Sequence, residues 1–299
     1  MKLVRIPAYA KVNLCLHILG QRSDGYHELR TIFQSITLHD TLELEAIREP
    51  RIHLRIIGNP ALAGEPLRTN LAYRALVELR RELRWRPGVR AVLTKRTPTG
   101  RGLGGGSSDA AAALIGLLRL SGRRIAPARL EAIASGLGAD VPFFLHGGRA
   151  LGVGRGNEIY PLPDIPKRAL LVVSPHDAAV PTRDAYKWLA RQLTKRQDPS
   201  KLLRFCTLCW STQGGALEND FEAAVFPRYP RLRRIKRELL RQGAAEAALA
   251  GSGSAVFGIF QSPAQARRAA QAFPKDQVFV CSTLPRAAYR RQLGGPPSA

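Results

Sequence analysis

Hydrophobic residues alternate with polar ones, or run together, in several short stretches of the chain, and elsewhere they recur at the spacing of a helix face. The short stretches predict strands at residues 2–20, 31–38, 40–46, 51–57, 89–94, 169–174, 247–249, 255–260 and 278–281. The helical spacing predicts helices at residues 70–83, 127–136, 184–191, 217–225 and 230–241. An alanine-rich helix is also predicted, capped by Ser107 or Ser108 and ending near residue 120. Because strands and helices mix without a regular alternation, the sequence predicts an α+β fold rather than a doubly wound sheet.

The length of the chain, 299 residues, is enough for about two domains. Residues 151–162 are rich in glycine, and we expect them to connect two halves of the molecule. The predicted division is residues 1–160 and residues 161–290. Residues 291–299 end in glycine, proline and serine and are expected to form a flexible tail.

The composition is that of a globular protein, with 45% hydrophobic and 23% charged residues. The sequence has no run of about 18 apolar residues that would predict a membrane span, and its N-terminus lacks a long apolar signal region. We therefore expect a cytoplasmic protein. Four cysteines are too few for a disulfide scaffold, and Cys206 and Cys209 have no second pair nearby, so no zinc site is expected.

The chain carries 46 lysines and arginines against 23 acidic residues, a net charge of +23. This charge is compatible with binding to nucleic acid, or with an enzyme that acts on polyanionic substrates. The basic residues are spread along the chain with few aromatics among them, and the densest run, at 228–241, predicts an amphipathic helix with a solvated face. No specific nucleic-acid partner is expected, because charge alone does not determine function.

Residues 98–109, P-T-G-R-G-L-G-G-G-S-S-D, lie directly before the alanine-rich helix. Glycines allow positive φ and a close approach to a ligand, and the helix N-terminus offers unpaired N–H groups. Together they predict a phosphate site, with Ser107 and Ser108 able to bind a phosphate oxygen or Mg²⁺. The alternatives are a flexible loop or a simply capped helix. The stretch is neither a Walker A loop nor a dinucleotide fingerprint.

Two charged residues stand among apolar ones. Asp140, in G-A-D-V-P, is a candidate general base for a hydroxyl nucleophile, although an aspartate that caps a helix or closes a turn is the better explanation of this stretch taken alone. Lys11 lies in the first predicted strand, where burial would require an anionic partner. Its alternative is a place on the solvated face.

Two further loops carry candidate binding residues. Tyr26 and His27 follow a glycine turn and are suited to stacking on a base and bonding its edge, or simply to anchoring the loop. Gly251 and Gly253 belong to a second glycine-serine loop, which is placed to close over the phosphates.

Together these stretches resemble the motifs of the GHMP kinases, the family of galactokinase, homoserine kinase and mevalonate kinase. The resemblance rests on A-K-V-N-L at 10–14, R-S-D-G-Y-H-E-L at 22–29, G-L-G-G-G-S-S-D-A-A-A at 102–112 and G-A-D-V-P-F-F at 138–144. The D-G-Y-H run points to the branch that phosphorylates the 2-hydroxyl of 4-diphosphocytidyl-2-C-methyl-D-erythritol, in the non-mevalonate route to isoprenoid precursors. The resemblance implies two α+β domains with the active site in the cleft between them. Either a monomer or a homodimer is expected.

The resemblance also implies roles for individual residues. Asp140 matches the catalytic base, and Lys11 matches the lysine that stabilises this carboxylate and the charge developing at the reacting oxygen. The phosphate donor would be ATP with Mg²⁺, to which Ser107 would contribute. The implied ATP-binding residues are Pro98, Gly100, Gly102, Leu103, Gly104, Gly105, Gly106, Ser107, Ser108 and Asn70. The implied substrate-binding residues are Asn13, Thr182, Gly251, Gly253, Tyr26 and His27 near the cytosine, and Tyr186 on the other face of its ring.

Two residues depart from the family pattern. Arg101 stands in the phosphate loop where a small residue is usual, so its side chain should point outward or take part in phosphate binding. Tyr9 replaces a proline before the Ala-Lys pair. Two other functions stay open, namely a homoserine- or mevalonate-type kinase, which would not need Tyr26, His27 and Tyr186, and a nucleic-acid-binding protein that has kept a kinase fold.

Overall fold

The computed structural model of the chain describes residues 3–190, 199–211 and 216–294. Its strands are β1 (Leu3–Gln21), β2 (His27–Ile47), β3 (Ile52–Ile57), β4 (Gly88–Thr94), β5 (Arg149–Val153), β6 (Glu158–Pro161), β7 (Ala169–Ser174), β8 (Glu218–Asn219), β9 (Glu246–Leu249), β10 (Val256–Phe260) and β11 (Gln277–Ser282). Its helices are α1 (Pro60–Ala63), α2 (Leu71–Glu82), α3 (Gly105–Ser121), α4 (Pro127–Leu137), α5 (Phe143–His146), α6 (Thr182–Ala190), α7 (Pro199–Trp210), α8 (Phe221–Val225), α9 (Pro230–Arg241), α10 (Pro263–Ala270) and α11 (Arg286–Gln292). A 3-10 turn spans Leu67–Thr69.

The strands form two sheets. The first has the order β3-β4-β2-β1-β8, and the hairpin β5–β6 joins it through β2. Its long central pair, β1 and β2, is antiparallel, whereas β3 pairs with β4, and β8 with β1, in parallel. The second sheet has the order β11-β7-β10-β9 and is antiparallel throughout.

Three hydrophobic clusters hold these layers together. One lies between the first sheet and helices α2, α3 and α4, and a second lies between the other sheet and helices α6, α8, α9 and α10. The third joins the two sheets through side chains of β1 and β2 on one side and of β7 and β10 on the other. Strand β7 contributes to two clusters, because successive side chains of a strand point to opposite faces of the sheet. Leu171 and Val173 face the second cluster, while Leu170 and Val172 face the third.

Helix α3 lies against the centre of the first sheet because its buried face is made of small residues. Ala110, Ala111, Ala112 and Ala113 are all buried. A Cβ on Gly116 would lie 2.5 Å from Leu44 Cδ1, so the glycine sets how closely the helix approaches the strand. The position of this helix matters because its N-terminus follows the glycine-rich loop.

The structure confirms the α+β prediction but corrects several predicted elements. Residues 31–38 and 40–46 belong to one strand, β2, and residues 151–162 include the hairpin β5–β6 of the first sheet instead of connecting two halves. Residues 217–225 are not one helix, because Glu218–Asn219 pairs with β1 and the Asn219 side chain accepts a hydrogen bond from the Phe221 N–H before α8 begins.

The ends of other predicted elements also differ. Helix α3 begins at Gly105 and follows Gly104, so neither Ser107 nor Ser108 caps it. The start of the predicted tail, residues 291–294, forms the last residues of α11 and the turn after it, and residues 295–299 lie outside the described residues. The sequence pattern missed α1, α5, α7, α10 and α11. The domain boundary at 160/161 stays a prediction.

Across the residues that the structure describes, no helix is both long enough and apolar enough to cross a membrane. The cytoplasmic location stays a prediction.

Candidate active site

A cavity of about 840 Å³ lies where β1, β2 and the N-terminus of α3 meet α6 and the loop after β9. Most of the residues singled out in the sequence lie on its wall. They are Lys11, Asn13, Tyr26, His27, Pro98, Gly100, Gly102, Leu103, Gly104, Gly105, Gly106, Ser107, Asp140, Thr182, Tyr186 and Gly251. Residues spread over 240 positions of the sequence are therefore brought to one cavity by the fold.

Three of the predicted residues lie beside the cavity rather than on its wall. Asn70 caps α2, with its side-chain oxygen accepting from the N–H groups of Ala72 and Tyr73. Ser108 is buried in the first turns of α3. Gly253 packs against the backbone of the phosphate loop, since a Cβ there would lie 2.2 Å from the carbonyl carbon of Arg101. Their binding roles stay predictions.

The phosphate loop, residues 98–104, alternates glycines in the left-handed region with other residues. Gly100, Gly102 and Gly104 have φ of 70°, 82° and 72°. A Cβ on Gly104 would lie 2.7 Å from Phe144 Cζ and 3.0 Å from Lys11 Cγ, whereas a Cβ on Gly100 would meet nothing within 4 Å. Gly104 thus lets the loop pack against the protein, and Gly100 faces open space.

The loop leads directly into α3, whose first turn receives no side-chain cap from any described residue. The backbone N–H groups of this turn point along the helix axis and carry the positive end of its dipole. An uncapped helix N-terminus beside a glycine-rich loop is suited to an anion such as phosphate.

Lys11 and Asp140 meet at the floor of the cavity. The Lys11 Nζ atom lies 3.4 Å from Asp140 Oδ2 and donates to Asn13 Oδ1 at 2.8 Å. Asn13 in turn donates to Thr31 Oγ1 at 2.7 Å. The Lys11 side chain is 5% exposed and that of Asp140 is 33% exposed, so the carboxylate is the member of the pair that a ligand can reach.

The alternative placement of Lys11 on a solvated strand face is wrong. Its ammonium lies 5.3 Å from the centre of the Phe33 ring and is held by the Asn13 and Asp140 oxygens. A buried ammonium needs such partners because desolvation without them is costly. The hydrogen bonds from Lys11 to Asn13 and from Asn13 to Thr31 therefore fix the position of the ammonium.

The loop at 250–254 closes against the phosphate loop, backbone to backbone. A Cβ on Gly102 would lie 1.8 Å from the Ala250 carbonyl oxygen, and the Ala255 N–H donates to the Arg101 carbonyl at 3.2 Å. A Cβ on Gly251 would lie 3.3 Å from Lys11 Nζ. The glycines of this loop thus allow the second sheet to contribute to the cavity close to the lysine.

The contacts of Arg101 account for the presence of an arginine in the phosphate loop. Its Nη1 donates to Ser254 Oγ at 2.7 Å, so the side chain ties the phosphate loop to the second loop instead of pointing away from it. Burial lowers the pKa of Arg101, an effect that the charge of Asp177 opposes. Tyr9, the other departure, is buried between the rings of His39 and Tyr289.

The opposite end of the cavity is aromatic. The rings of His27 and Tyr186 lie with their centres 5.0 Å apart at 31°, and Tyr186 packs edge-on against Phe221. Tyr26 is 56% exposed, and the Arg155 guanidinium lies 4.4 Å from the centre of its ring. His27 Nε2 is buried and has no hydrogen-bond partner among the described residues. This end offers ring faces to a flat ligand.

The pKa directions at this end follow from burial. Burial lowers the pKa of His27, which favours its neutral form. Burial, reinforced by the charge of Asp140, raises the pKa of Tyr186, so its hydroxyl stays protonated. Both rings therefore present neutral, polarisable surfaces.

The sequence missed several basic residues of the cavity. Arg155, Arg183 and Lys187 line it together with Lys11 and Arg101, and Asp140 is the one carboxylate among the described residues of the wall. Arg155 lies in the turn of the hairpin β5–β6, in a stretch that the sequence indicated only as glycine-rich. The excess of positive charge suits a ligand that carries several phosphate groups.

The cavity offers few ligands to a metal ion. Among the lining residues that the structure describes, Asp140 carries the one carboxylate, and Ser107 lies in the first turn of α3. Within the described ranges, the one compact group of three His, Cys, Asp or Glu side chains is Cys15, His17 and Glu218, away from the phosphate loop. There His17 lies 2.6 Å from Glu218, which also accepts from Arg204 at 2.5 Å, as expected of a hydrogen-bonded junction between β1 and β8.

Comparisons with known proteins agree with this geometry. Residues 70–148 match the family model described as GHMP kinases N terminal domain, and residues 190–278 match the one described as GHMP kinases C terminal. The 4-diphosphocytidyl-2-C-methyl-D-erythritol kinase of Solibacter usitatus is 44% identical over 95% of this chain and 89% of its own length. The enzyme of the same name from Moorella thermoacetica is 42% identical over 90% and 94%.

Solved structures show the same fold. A crystal structure of 4-(cytidine 5'-diphospho)-2C-methyl-D-erythritol kinase superposes with a TM-score of 0.78 and 34% identity, covering 93% of this chain and 98% of that one. A homoserine kinase from Cytophaga hutchinsonii superposes with a TM-score of 0.71 at 20% identity, covering 95% and 96%, which shows the fold alone. The two-domain fold prediction is confirmed, and the chain belongs to the GHMP kinases, as a phosphotransferase of the branch that contains the two curated relatives.

Proposed function

We propose that the protein transfers the γ-phosphoryl group of ATP to the 2-hydroxyl of 4-diphosphocytidyl-2-C-methyl-D-erythritol. One observation carries the proposal. A single cavity has a glycine-lined, uncapped helix N-terminus at one end, the aromatic group of Tyr26, His27 and Tyr186 at the other, and the Lys11–Asp140 pair on its wall. Both named relatives and the 34%-identical crystal structure carry the name of this activity.

ATP would bind with its phosphates at the phosphate loop. The N–H groups at the start of α3 and the open space at Gly100 provide a cradle for phosphate oxygens. Mg²⁺ fits this end, because it is usually held by phosphates, water and few protein oxygens, of which Ser107 can supply one. When bound, it would neutralise part of the phosphate charge. Arg101 braces the loop through Ser254.

The chain's own residues would then move one proton. The substrate hydroxyl oxygen forms a bond to the γ-phosphorus while the bond from that phosphorus to the β,γ-bridging oxygen breaks, and ADP leaves. Asp140 accepts the hydroxyl proton as general base. Lys11, at 3.4 Å from Asp140, holds the carboxylate in place and stabilises negative charge at the reacting oxygen.

The cytidine group would bind at the aromatic end. The gap between the His27 and Tyr186 rings is too small for a base, since stacking on both sides requires about 7 Å between ring planes. We therefore place the base against an outward ring face of this pair, with Tyr26 covering its other side. His27 Nε2 is buried and has no partner among the described residues, so the His27 ring would have to turn for this atom to bond the edge of the base. Arg155 and Lys187 would face the diphosphate.

A cytidine-free alcohol is the alternative substrate. The likeness to a homoserine kinase supports it only at the level of the fold. A kinase for such a small alcohol would leave the aromatic end without a role.

The test is ATP turnover, followed by ADP release, with the cytidine substrate beside homoserine, mevalonate and galactose. We expect turnover with the cytidine compound alone. Turnover with one of the plain alcohols and none with the cytidine compound would reject the substrate while leaving the phosphotransferase intact. The Tyr160→Leu variant, at an exposed tyrosine of β6 outside the cavity, provides a control with unchanged turnover.

A further inference from the structure

Directly beneath the phosphate loop lies a buried group of three charged side chains, which we call the ion cluster: Asp40, Lys95 and Asp109. Their side chains are 0%, 3% and 3% exposed. Lys95 Nζ donates to Asp109 Oδ2 at 2.7 Å and also to Asp40 Oδ2. The other oxygen of Asp40 accepts from the backbone N–H groups of Arg96 and Thr97 at 2.6 and 2.7 Å.

The ion cluster connects both ends of the phosphate loop. Asp40 comes from β2, and Lys95 directly follows β4, three residues before the loop begins. Asp109 is the fifth residue of α3, just after the loop ends. The first residue of that helix rests on the cluster, because a Cβ on Gly105 would lie 3.1 Å from Thr97 Cγ2 and 3.4 Å from Lys95 Nζ.

As a device for stability the ion cluster is costly. Burying charges costs several kcal/mol per ion, and apolar side chains of similar volume are often at least as stabilising. Two carboxylates share one ammonium, and Asp109 Oδ1 is buried without a hydrogen-bond partner among the described residues. Burial, opposed by Lys95, raises the pKa of Asp109 to about 7. Burial acts to lower the pKa of Lys95, but the two carboxylates raise it overall.

We propose that Asp40, Lys95 and Asp109 are positioning residues, which fix the two ends of the phosphate loop relative to each other so that its N–H groups are preorganised for ATP phosphates. The proposal rests on the proposed function, since it assigns the loop to ATP. Asp40 holds the entry to the loop through two backbone N–H groups, and Asp109 holds the helix that follows it. Lys95 is the link between them.

The test replaces Asp109, because Lys95 and Asp40 then remain as a neutral pair and the fold is expected to persist. Asp109→Leu removes the ion pair between Lys95 and helix α3, whereas Asp109→Asn keeps an oxygen that can accept a hydrogen bond from Lys95. Asp164→Asn is the matched control, an aspartate outside the cavity with one bonded oxygen and one buried, unpartnered oxygen. The measurements are the dissociation constant of a non-hydrolysable ATP analogue by calorimetry, the KM for each substrate, kcat, and the melting temperature.

For Asp109→Leu we expect a folded protein whose dissociation constant for the analogue rises roughly 10-fold or more, because loss of preorganised geometry weakens binding. The KM for ATP should rise with it and that for the cytidine substrate should not. Asp109→Asn should lie between this variant and the parent protein, and Asp164→Asn should match the parent.

An unchanged dissociation constant in folded Asp109→Leu would overturn the proposal, as would an equal rise in both KM values, which would indicate general loosening. Should Asp109→Leu fail to fold, an Asp109→Asn variant with the parent's affinity overturns it equally. Calorimetry measures binding of the ATP analogue and needs no turnover. If the enzyme turns out not to use the cytidine substrate, the proposed function is rejected, but the role of the ion cluster in ATP binding can still be tested.

Discussion

The two ends of the cavity are built in opposite ways. The phosphate end is continuous in sequence, runs from Pro98 to Ser107, and uses backbone N–H groups and the absence of side chains. The aromatic end uses side chains from three distant places, Tyr26 with His27, Arg155 and Tyr186. The first depends on local conformation, and the second depends on the whole fold bringing distant residues together.

This difference predicts different sensitivities to mutation. At the phosphate end almost any Cβ is harmful at Gly102 or Gly104, because it would meet backbone or a packed ring. At the aromatic end the ring faces are exposed to the cavity, so substitutions should weaken one ligand without disturbing the loop. The Lys11–Asp140 pair belongs to neither end and should affect the chemistry rather than binding.

The largest expected effect is at Asp140. Asp140→Asn should lower kcat by about 10²–10⁴-fold, the usual contribution of a general base, while the ATP analogue still binds. Steady-state kinetics and calorimetry on the same preparation check this. A variant that keeps its kcat would show that Asp140 is not the base.

The next largest effect is expected at the phosphate end, where two glycines that flank α3 can be compared. Gly104→Ala and Gly122→Ala both place a side chain at positive φ, 72° and 67°, before and after α3. The backbone conformation alone should cost each variant about 1–2 kcal/mol of stability. Only Gly104→Ala should also raise the KM for ATP, by up to about 100-fold, because its Cβ displaces Phe144 and Lys11.

Melting curves measure the loss of stability that the two glycine variants share, and ATP titrations measure the difference between them. If both variants bind ATP as the parent does, the phosphate loop tolerates a Cβ at position 104 better than its geometry indicates.

A smaller effect is expected at the aromatic end. Tyr186→Leu should raise the KM for the cytidine substrate by about 10-fold, since stacking on a base contributes about 1–3 kcal/mol. The KM for ATP should not change. Initial-rate measurements with each substrate varied in turn separate the two constants. A parallel rise in both would mean that the two ends are not independent.

The last prediction concerns the ion cluster and the pH dependence of stability. Burial raises the pKa of Asp109 from 3.8 to about 7, so the folded state holds this proton more tightly than the unfolded chain. Stability should therefore fall as pH rises from about 4 to about 7, by at most about 1.4 kcal/mol per pH unit for this group.

The Asp109→Asn variant should lose this pH dependence. Its melting temperature relative to the parent should rise between about pH 4 and pH 7. A constant difference across that range would contradict the raised pKa.

Much of the phosphate end was predictable from sequence because its chemistry is local. The run of glycines before an alanine-rich segment indicates a phosphate loop without further information. Lys11 and Asp140 were each ambiguous alone, since a strand lysine and a turn aspartate are common. Only their 3.4 Å separation in the structure favours a joint role.

The rest needed the fold. Arg155 was missed because its turn lies in a glycine-rich stretch that resembles a connection, yet β5 pairs with β2 and carries the turn to Tyr26. Strand β8 has two residues, too few for a hydrophobic pattern. Asp40 and Lys95 lie 55 positions apart, and nothing in the sequence pattern indicates that they form an ion pair.

The most direct test of the two-ended cavity is calorimetric titration of cytidine 5′-diphosphate into the protein saturated with a non-hydrolysable ATP analogue. If the glycine end holds ATP and the aromatic end holds the cytidine group, the diphosphate binds with one-to-one stoichiometry in the presence of the analogue, and Tyr186→Leu weakens this binding. If the analogue abolishes binding of the diphosphate, the two nucleotides compete for one site, which contradicts the assignment of separate ends.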